Sequence, residues 1–334
     1  MGRVTVTSEL HAGVWFQGGL KVQASTELAV RAEAAGVHSI WVAEGPIARD
    51  AFVALGSIAM ATSRVELATG VVNPFTRHPA QLAATFASLD ELSGGRAICG
   101  IGIGARDGLM PLGADVSKPF TAAKEMVSIV RRLLAREAVV LDGAVFHLDH
   151  ARLGFRPLRT DVPIVLAATG PKMCALAGAA ADGIYLMYGT QEYVEGSLAL
   201  AHDARTNESP FRVASPILMA VDNGDDSVKA GLKFGIGLML TEPNGESMLE
   251  ANGLDPALAG RIRDGLAQGG VKAVPAAVDD SIIERLTIFG SHTDCVDRLL
   301  EAYSWGVSEP QILLSGDDPT AVLSVLDELR RAGA

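Results

Sequence analysis

A chain of 334 residues, half of them apolar and a fifth charged, can bury a large core without disulfides or structural metal. Its 28 Lys and Arg against 39 Asp and Glu leave a net charge of −11 with no basic block, which excludes a nucleic-acid face and obliges any anionic cofactor to find local donors. Cys99, Cys174 and Cys295 are odd in number and far apart, no secretory leader or myristoylation pattern opens the chain, and no apolar stretch reaches membrane-spanning length, which predicts a soluble cytoplasmic protein.

Short apolar strands alternate with helical stretches. Residues 4–8 read as the first strand, and Ser25-Thr26-Glu27 opens a helix that Gly36 stops. A strand over 38–43 and a helix over 50–62 follow, then strand three over 65–69. That strand runs into Gly70-Val71-Val72-Asn73-Pro74, and Pro79 suits the first turn of the next helix, 79–92. Strand four is 97–104, followed by an amphipathic helix over 118–136 and a hairpin over 139–148 turning at Asp142-Gly143. Strands over 163–168, 183–188, 213–221 and 310–314 come next, with helices over 171–181, 191–204 and 319–331. Eight βα units with continuous apolar strands predict a closed parallel sheet covered by helices, a single (β/α)8 TIM barrel over 1–334. Its excess over the ~250 residues usual for such barrels falls at 224–290, predicted as a helical cap insertion between strands seven and eight.

Barrel active sites are built at the C-terminal ends of the strands. Four such segments stand out: Trp41-Val42-Ala43-Glu44-Gly45, the run from Gly70 to Pro79, Gly100-Ile101-Gly102-Ile103-Gly104-Ala105-Arg106, and Ala168-Thr169-Gly170-Pro171-Lys172-Met173. The glycine series is G-x-G-x-G, not the dinucleotide G-x-G-x-x-G, so its glycines mark close approach of a neighbouring helix or a planar ligand. Thr169-Gly170-Pro171-Lys172 leaves N–H groups open at a helix start, as an anion nest for a phosphate or as an ordinary cap. Glu44 ends a buried strand, where a carboxylate needs partners; it is a candidate acid/base group or a structural pair with Arg49. Glu9, beside strand one, invites the same two readings. His78 reads as a loop or cap residue, and His147 and His150, three apart on a strand, face opposite sides and cannot share a metal. No HExxH, GxSxG or Walker A pattern occurs, which disfavours zinc and hydrolytic chemistry.

The runs GVVNPFTRHPA (70–80), LDELSGGRAICGIGIG (89–104), FHLDHARLGFRP (146–157), ATGPKMCALAGAAADG (168–183) and TIFGSHTDCVDRL (287–299), in this order, resemble the luciferase-like monooxygenase superfamily. The likeness is to its deazaflavin branch, the F420-dependent methylenetetrahydromethanopterin reductases and their bacterial relatives. It implies a (β/α)8 enzyme that binds coenzyme F420, with FMN as the alternative, at the C-terminal face of the barrel. A bulge with a non-prolyl cis peptide is implied at Gly70-Val71 behind the cofactor ring, with Asn73 in the same loop. The phosphate-bearing tail is implied at Thr169, Gly170, Pro171 and Lys172, with further contacts from Gly104, Ala105 and Arg106. The same resemblance implies a homodimer. Many relatives place Asp-His after strand two, where this chain has Glu44 and Gly45; a proton must then come from Glu44, Glu9 or solvent. The reading is an F420-dependent oxidoreductase that moves a hydride between the deazaflavin and a small organic substrate, reducing an activated C=N or C=C bond. An FMN-dependent monooxygenase and a cofactor-binding protein without turnover compete with it.

Overall fold

Continuous apolar tetrads are what a strand covered on both faces requires, and Gly13–Phe16, the run GVWF, is the first of them. In a computed structural model, which describes residues 10–104, 106–242, 244–314 and 319–332, this is β1 of a closed parallel barrel. The others are β2 (Ser39–Val42), β3 (Glu66–Thr69), β4 (Ala97–Ile101), β5 (Ile164–Ala167), β6 (Gly183–Tyr185), β7 (Arg212–Ile217) and β8 (Glu309–Leu313). Consecutive strands are neighbours and β8 pairs with β1, as the eight-unit reading requires. The first strand differs from expectation. Residues 4–8 and Glu9 lie outside the described residues, and the ring closes through Gly13–Phe16. The alternating Val4-Thr5-Val6-Thr7 suits a half-exposed strand better than a parallel barrel.

Helices α1 (Val22–Ala34), α2 (Ala51–Ala61), α3 (Pro79–Ser93), α4 (Pro119–Leu134), α5 (Pro171–Ala180) and α6 (Gln191–Asp203) cover the outside. Local chemistry sets their ends. Asp50 caps α2 by accepting from the Phe52 and Val53 N–H groups. His78 Nδ1 accepts from Ala80 N–H at the start of α3, and Gly94 ends that helix at φ 70°. The hairpin pairs Val139–Asp142 with His147–Ala151. Its loop is not the tight Asp-Gly turn; residues 143–146 wrap the Glu125 carboxylate, which accepts from the Ala144, Val145 and Phe146 N–H groups.

Strand seven is shorter than predicted. β7 stops at Ile217, and Met219–Val221 leaves the ring to pair with Ile288–Gly290. Between those two short strands run α7 (Asp226–Thr241), α8 (Gly245–Ala251), α9 (Ala257–Gly269), α10 (Val274–Ala277) and α11 (Asp280–Leu286). Then α12 (His292–Ser304), opened by a Ser291/Asp294 capping box, leads to β8 and α13 (Thr320–Ala332). Two apolar clusters result. One lies between the barrel and its outer helices. The other fills the lumen with Trp15, Trp41, Ala68, Ile98, Val165 and Ala214, and continues into α7, α8, α9 and α11.

The N-terminal end of the barrel is held by polar contacts. Wholly buried Asp90 accepts from Arg159 Nη2 at 2.5 Å and Nε at 3.1 Å, and from Ala97 N–H at 3.2 Å. Arg96 donates to the Ala59, Thr62, Val65 and Ser93 carbonyls, tying α2 and α3 to the strands. Inside the ring, Trp41 Nε1 and Gln311 Nε2 donate to Ser39 Oγ at 2.9 and 3.0 Å, and Ser39 donates to Glu309. Arg212 bridges Glu309 and Glu66 at 3.2 and 2.5 Å, and His38 Nε2 meets Glu66 at 3.2 Å. Burial alone would raise the Glu66 carboxyl, but the His38 hydrogen bond and the Arg212 guanidinium outweigh it and hold it at about 2. Glu66 in turn raises the His38 imidazole.

Candidate active site

The opposite end of the barrel carries the strand-end segments. At β3 the Gly70 N–H bonds Val42 O at 2.8 Å and the Val72 N–H bonds Gly100 O at 3.0 Å, so Val71 stands out of the ladder between two paired residues. The Gly70-Val71 peptide is cis, as the resemblance implied. Asn73, 2 % exposed, accepts through Oδ1 from the Phe75 and Thr76 N–H groups at 3.0 Å and so shapes the loop. Gly104, at φ 70°, lies against it, 3.3 Å separating an added Cβ from the Asn73 Cβ.

Among the described residues, the body that approaches Gly100 and Gly102 is not a helix. It is the neighbouring strand: a Cβ at Gly100 would meet Thr69 O at 1.7 Å, and one at Gly102 would meet Val71 Cγ2 at 2.5 Å. After β5, Gly170 is the N-cap of α5 with no side-chain cap, nothing lies within 4 Å of an added Cβ there, and Thr169, Pro171 and Lys172 are exposed. Among the described residues the Gly170 and Lys172 N–H groups have no acceptor, so the helix start is open to an anion. Ala105 lies outside the described residues. Arg106 begins a short helix, Arg106–Leu109.

Glu44 is not paired with Arg49, which donates to Gly19 O. Its side chain, 8 % exposed, accepts from Arg77 Nε at 2.6 Å and from Ala51 N–H at 3.2 Å. Arg77 also reaches Asp50 at 2.6 Å and lies 4.9 Å from the centre of the Phe52 ring. The carboxylate thus locks the loop after β3 to the start of α2. Gly45 has no room for a side chain as the loop stands: a Cβ would lie 2.8 Å from that of Ala48. His78 is a cap residue, as read, and His147 and His150 pair with Asp142 and Asp149.

Two aromatic residues sit at the centre: one was named in a strand-end segment without a role, and the other was not singled out in the sequence. Trp41 of β2 and Tyr185 of β6 stack at 4.7 Å and 18°, across the lumen from diametrically placed strands. The Tyr185 hydroxyl is 3.4 Å from where a Gly70 Cβ would lie and makes no hydrogen bond among the described residues. Burial and the Glu309 charge push its pKa up, so it stays a neutral O–H donor. Trp15, in register with Trp41, has a buried Nε1–H with no partner among the described residues. The signal available in the sequence was an aromatic at the last lumen-facing position of a strand, which periodicity alone assigns to core.

The stacked pair divides the mouth. Gly70, Val71 and Asn73 follow β3, Gly104 and Arg106 follow β4, and Thr169, Gly170, Pro171 and Lys172 follow β5, all on one half. The other half, from β7 through β8 to β1, opens into a cavity of about 1010 Å³ against α7, with Gln17, Leu218, Leu313 and Leu314 on its barrel side.

Residues 4–309 match the family model for luciferase-like monooxygenases. The chain belongs to the luciferase-like monooxygenase family. Across this family's range, the chain is 31 % identical over 283 residues to the 5,10-methylenetetrahydromethanopterin reductase of Methanolobus tindarius, covering 83 % of this chain and 86 % of that one. Two solved structures share the luciferase-like fold. The coenzyme F420-dependent tetrahydromethanopterin reductase of Methanopyrus kandleri superposes with a TM-score of 0.85 at 24 % identity, over 96 % of this chain and 98 % of that one. An F420-dependent secondary alcohol dehydrogenase, in complex with an F420–acetone adduct, gives 0.80 at 21 % identity, over 98 % and 99 %.

Proposed function

We propose that this chain is a coenzyme F420-dependent oxidoreductase that transfers a hydride between the deazaflavin and a small organic substrate, reducing an activated C=N or C=C bond. The observation that carries the reading is the β3–β4–β5 half of the mouth, where a bulged Gly70-Val71, the Gly104 turn and an uncapped α5 start lie together. These residues fit the group. The open N–H groups at Gly170 and Lys172 supply a local positive end that suits the anionic tail, and the uncrowded Gly170 leaves room for it.

When bound, the deazaflavin supplies the hydride chemistry. Gly70, Val71 and Asn73 would support the ring, and Gly104, Ala105, Arg106, Thr169, Gly170, Pro171 and Lys172 would take the tail. Glu44 holds the β3 loop through Arg77. Glu9 remains the second carboxylate candidate from the sequence. Tyr185 holds a proton at its Oη, at the seam between the two halves. Residues 224–290 serve as a cap on a single barrel domain. No helix among the described residues is long and apolar enough to cross a membrane. The reading places the enzyme in the cytoplasm, which suits three buried, unpaired cysteines, and carries the homodimer over from the family.

Titration of the purified chain with F420 and, separately, FMN tests this. Saturable F420 binding that weakens in Lys172→Ala supports it. Binding of FMN alone returns the case to monooxygenases, and binding of neither overturns the cradle.

A further inference from the structure

The cavity of about 1010 Å³ belongs to no residue assigned to the cofactor. Its walls come from the other half of the ring: Leu218 just after β7, Leu313 and Leu314 at the end of β8, and Gln17 after β1. The roof is α7, which presents Leu232, Phe234, Leu238 and Met239. Among the described lining residues there is no Lys, Arg or His; the polar groups are Gln17, Asn223, Ser227 and the carboxylate of Glu242. An anion entering this space would meet the Glu242 carboxylate, apolar walls and a few neutral donors in a chain of net charge −11, with no cation among the described lining residues to offset its lost hydration. A volume of this size matches a drug-sized ligand rather than a two- or three-carbon one.

We infer that the β7–β8–β1 half of the mouth is the substrate chamber, and that it takes an uncharged, largely apolar molecule whose reducible bond reaches the Trp41–Tyr185 seam. The inference rests on the oxidoreductase reading for what the molecule is used for, but not for its binding. The strands that carry the seam, β2 and β6, are the ring neighbours of β1 and β7, so a molecule that extends from the chamber toward the lumen reaches the seam before the cofactor half. Two glycines on α7 keep the space open. An added Cβ at Gly231 would meet nothing within 4 Å, and one at Gly235 only Leu218 Cδ1 at 3.6 Å. Larger side chains there fill the chamber without displacing backbone, and replacing a helical Gly favours the helix.

The test uses the full chain. The neutral dye Nile red is displaced by a series of 3-alkyl-2-cyclohexenones, by their carboxylate-terminated isosteres and by glucose 6-phosphate, in wild type and in Gly235→Phe. Reduced F420 oxidation by the same enones is followed in parallel; each takes hydride at C3 and a proton at C2. The expected result is that displacement and kcat/KM improve about fourfold per added methylene until the chamber is full. The carboxylates and the sugar phosphate should be at least a hundredfold weaker. Gly235→Phe should remove the chain-length gain while its F420 affinity stays within a factor of two. Equal competition by charged and neutral probes overturns the inference, as does an unchanged chain-length series in Gly235→Phe. If F420 fails to bind, the oxidoreductase reading fails, and the dye displacement still decides the chamber.

Discussion

Glu44 lies beside the mouth with both oxygens engaged, whereas Tyr185 lies within it with a hydroxyl that makes no hydrogen bond among the described residues. The two side chains should therefore respond differently to removal of a single functional atom. Glu44→Gln weakens the Arg77 contact that fixes the β3 loop, so F420 affinity and turnover should fall together; turnover falling alone would restore Glu44 as the acid. Arg77→Ala leaves an 8 %-exposed carboxylate without its cation and should cost about 3 kcal/mol of stability in a urea melt. Tyr185→Phe keeps the stack on Trp41 and removes only the O–H. Turnover should drop between ten- and a hundredfold with the F420 dissociation constant within about a factor of three, as read by single-turnover kinetics beside equilibrium binding.

At the level of elements, β3 and β4 are so close that the two β4 glycines predict graded outcomes. Gly102→Ala presses on the Val71 side chain, which can turn, and on the Ala167 Cβ at 3.0 Å, which must shift by a few tenths of an ångström, so the chain should fold with about 2 kcal/mol less stability and a weakened F420 site. Gly100→Ala presses on a backbone carbonyl, which cannot yield, and should give little soluble protein. Expression level and thermal melting of the pair check this. Strands and helices with a strong period were legible in the sequence, because burial on both faces writes a continuous apolar run. β1 was missed since only four residues carry it and the alternating 4–8 stretch competes. The motif LDELSGGRAICGIGIG is informative for a structural reason: Asp90, Gly94 and Arg96 tie helices to strands at the end away from the mouth. Glu44, Gly70 and Gly170 were visible because strand ends are visible. Arg77 and Tyr185 were not, since their partners lie 33 residues away in one case and across the lumen in the other.

For the molecule as a whole, the two ends of the barrel do separate tasks. The N-terminal end concentrates paired charge, and its pH response should appear in stability. Glu66 is held at about 2 against 4.5 when unfolded, so its contribution is present above about pH 4.5 and lost as pH falls through about 2. It amounts to on the order of 3 kcal/mol. His38 is raised, so its contribution is present below about pH 6.5 and lost as pH climbs through the folded value. Denaturant midpoints should fall on both sides of that window, and His38→Gln should flatten the alkaline side and, by removing a contact that holds the Glu66 carboxyl down, shrink the acid side as well. The C-terminal end instead keeps its charge at the rim, in the Glu44–Arg77–Asp50 cluster, and neutral Trp41 and Tyr185 across the lumen. Of the chain's three tryptophans, Trp15 and Trp41 line that lumen, while Trp305 stacks on Tyr188 at 6.0 Å. The molecule therefore carries its own optical gauge: a conjugated ring seated at the mouth takes excitation energy from two indoles at once, and the residual emission reports on the third.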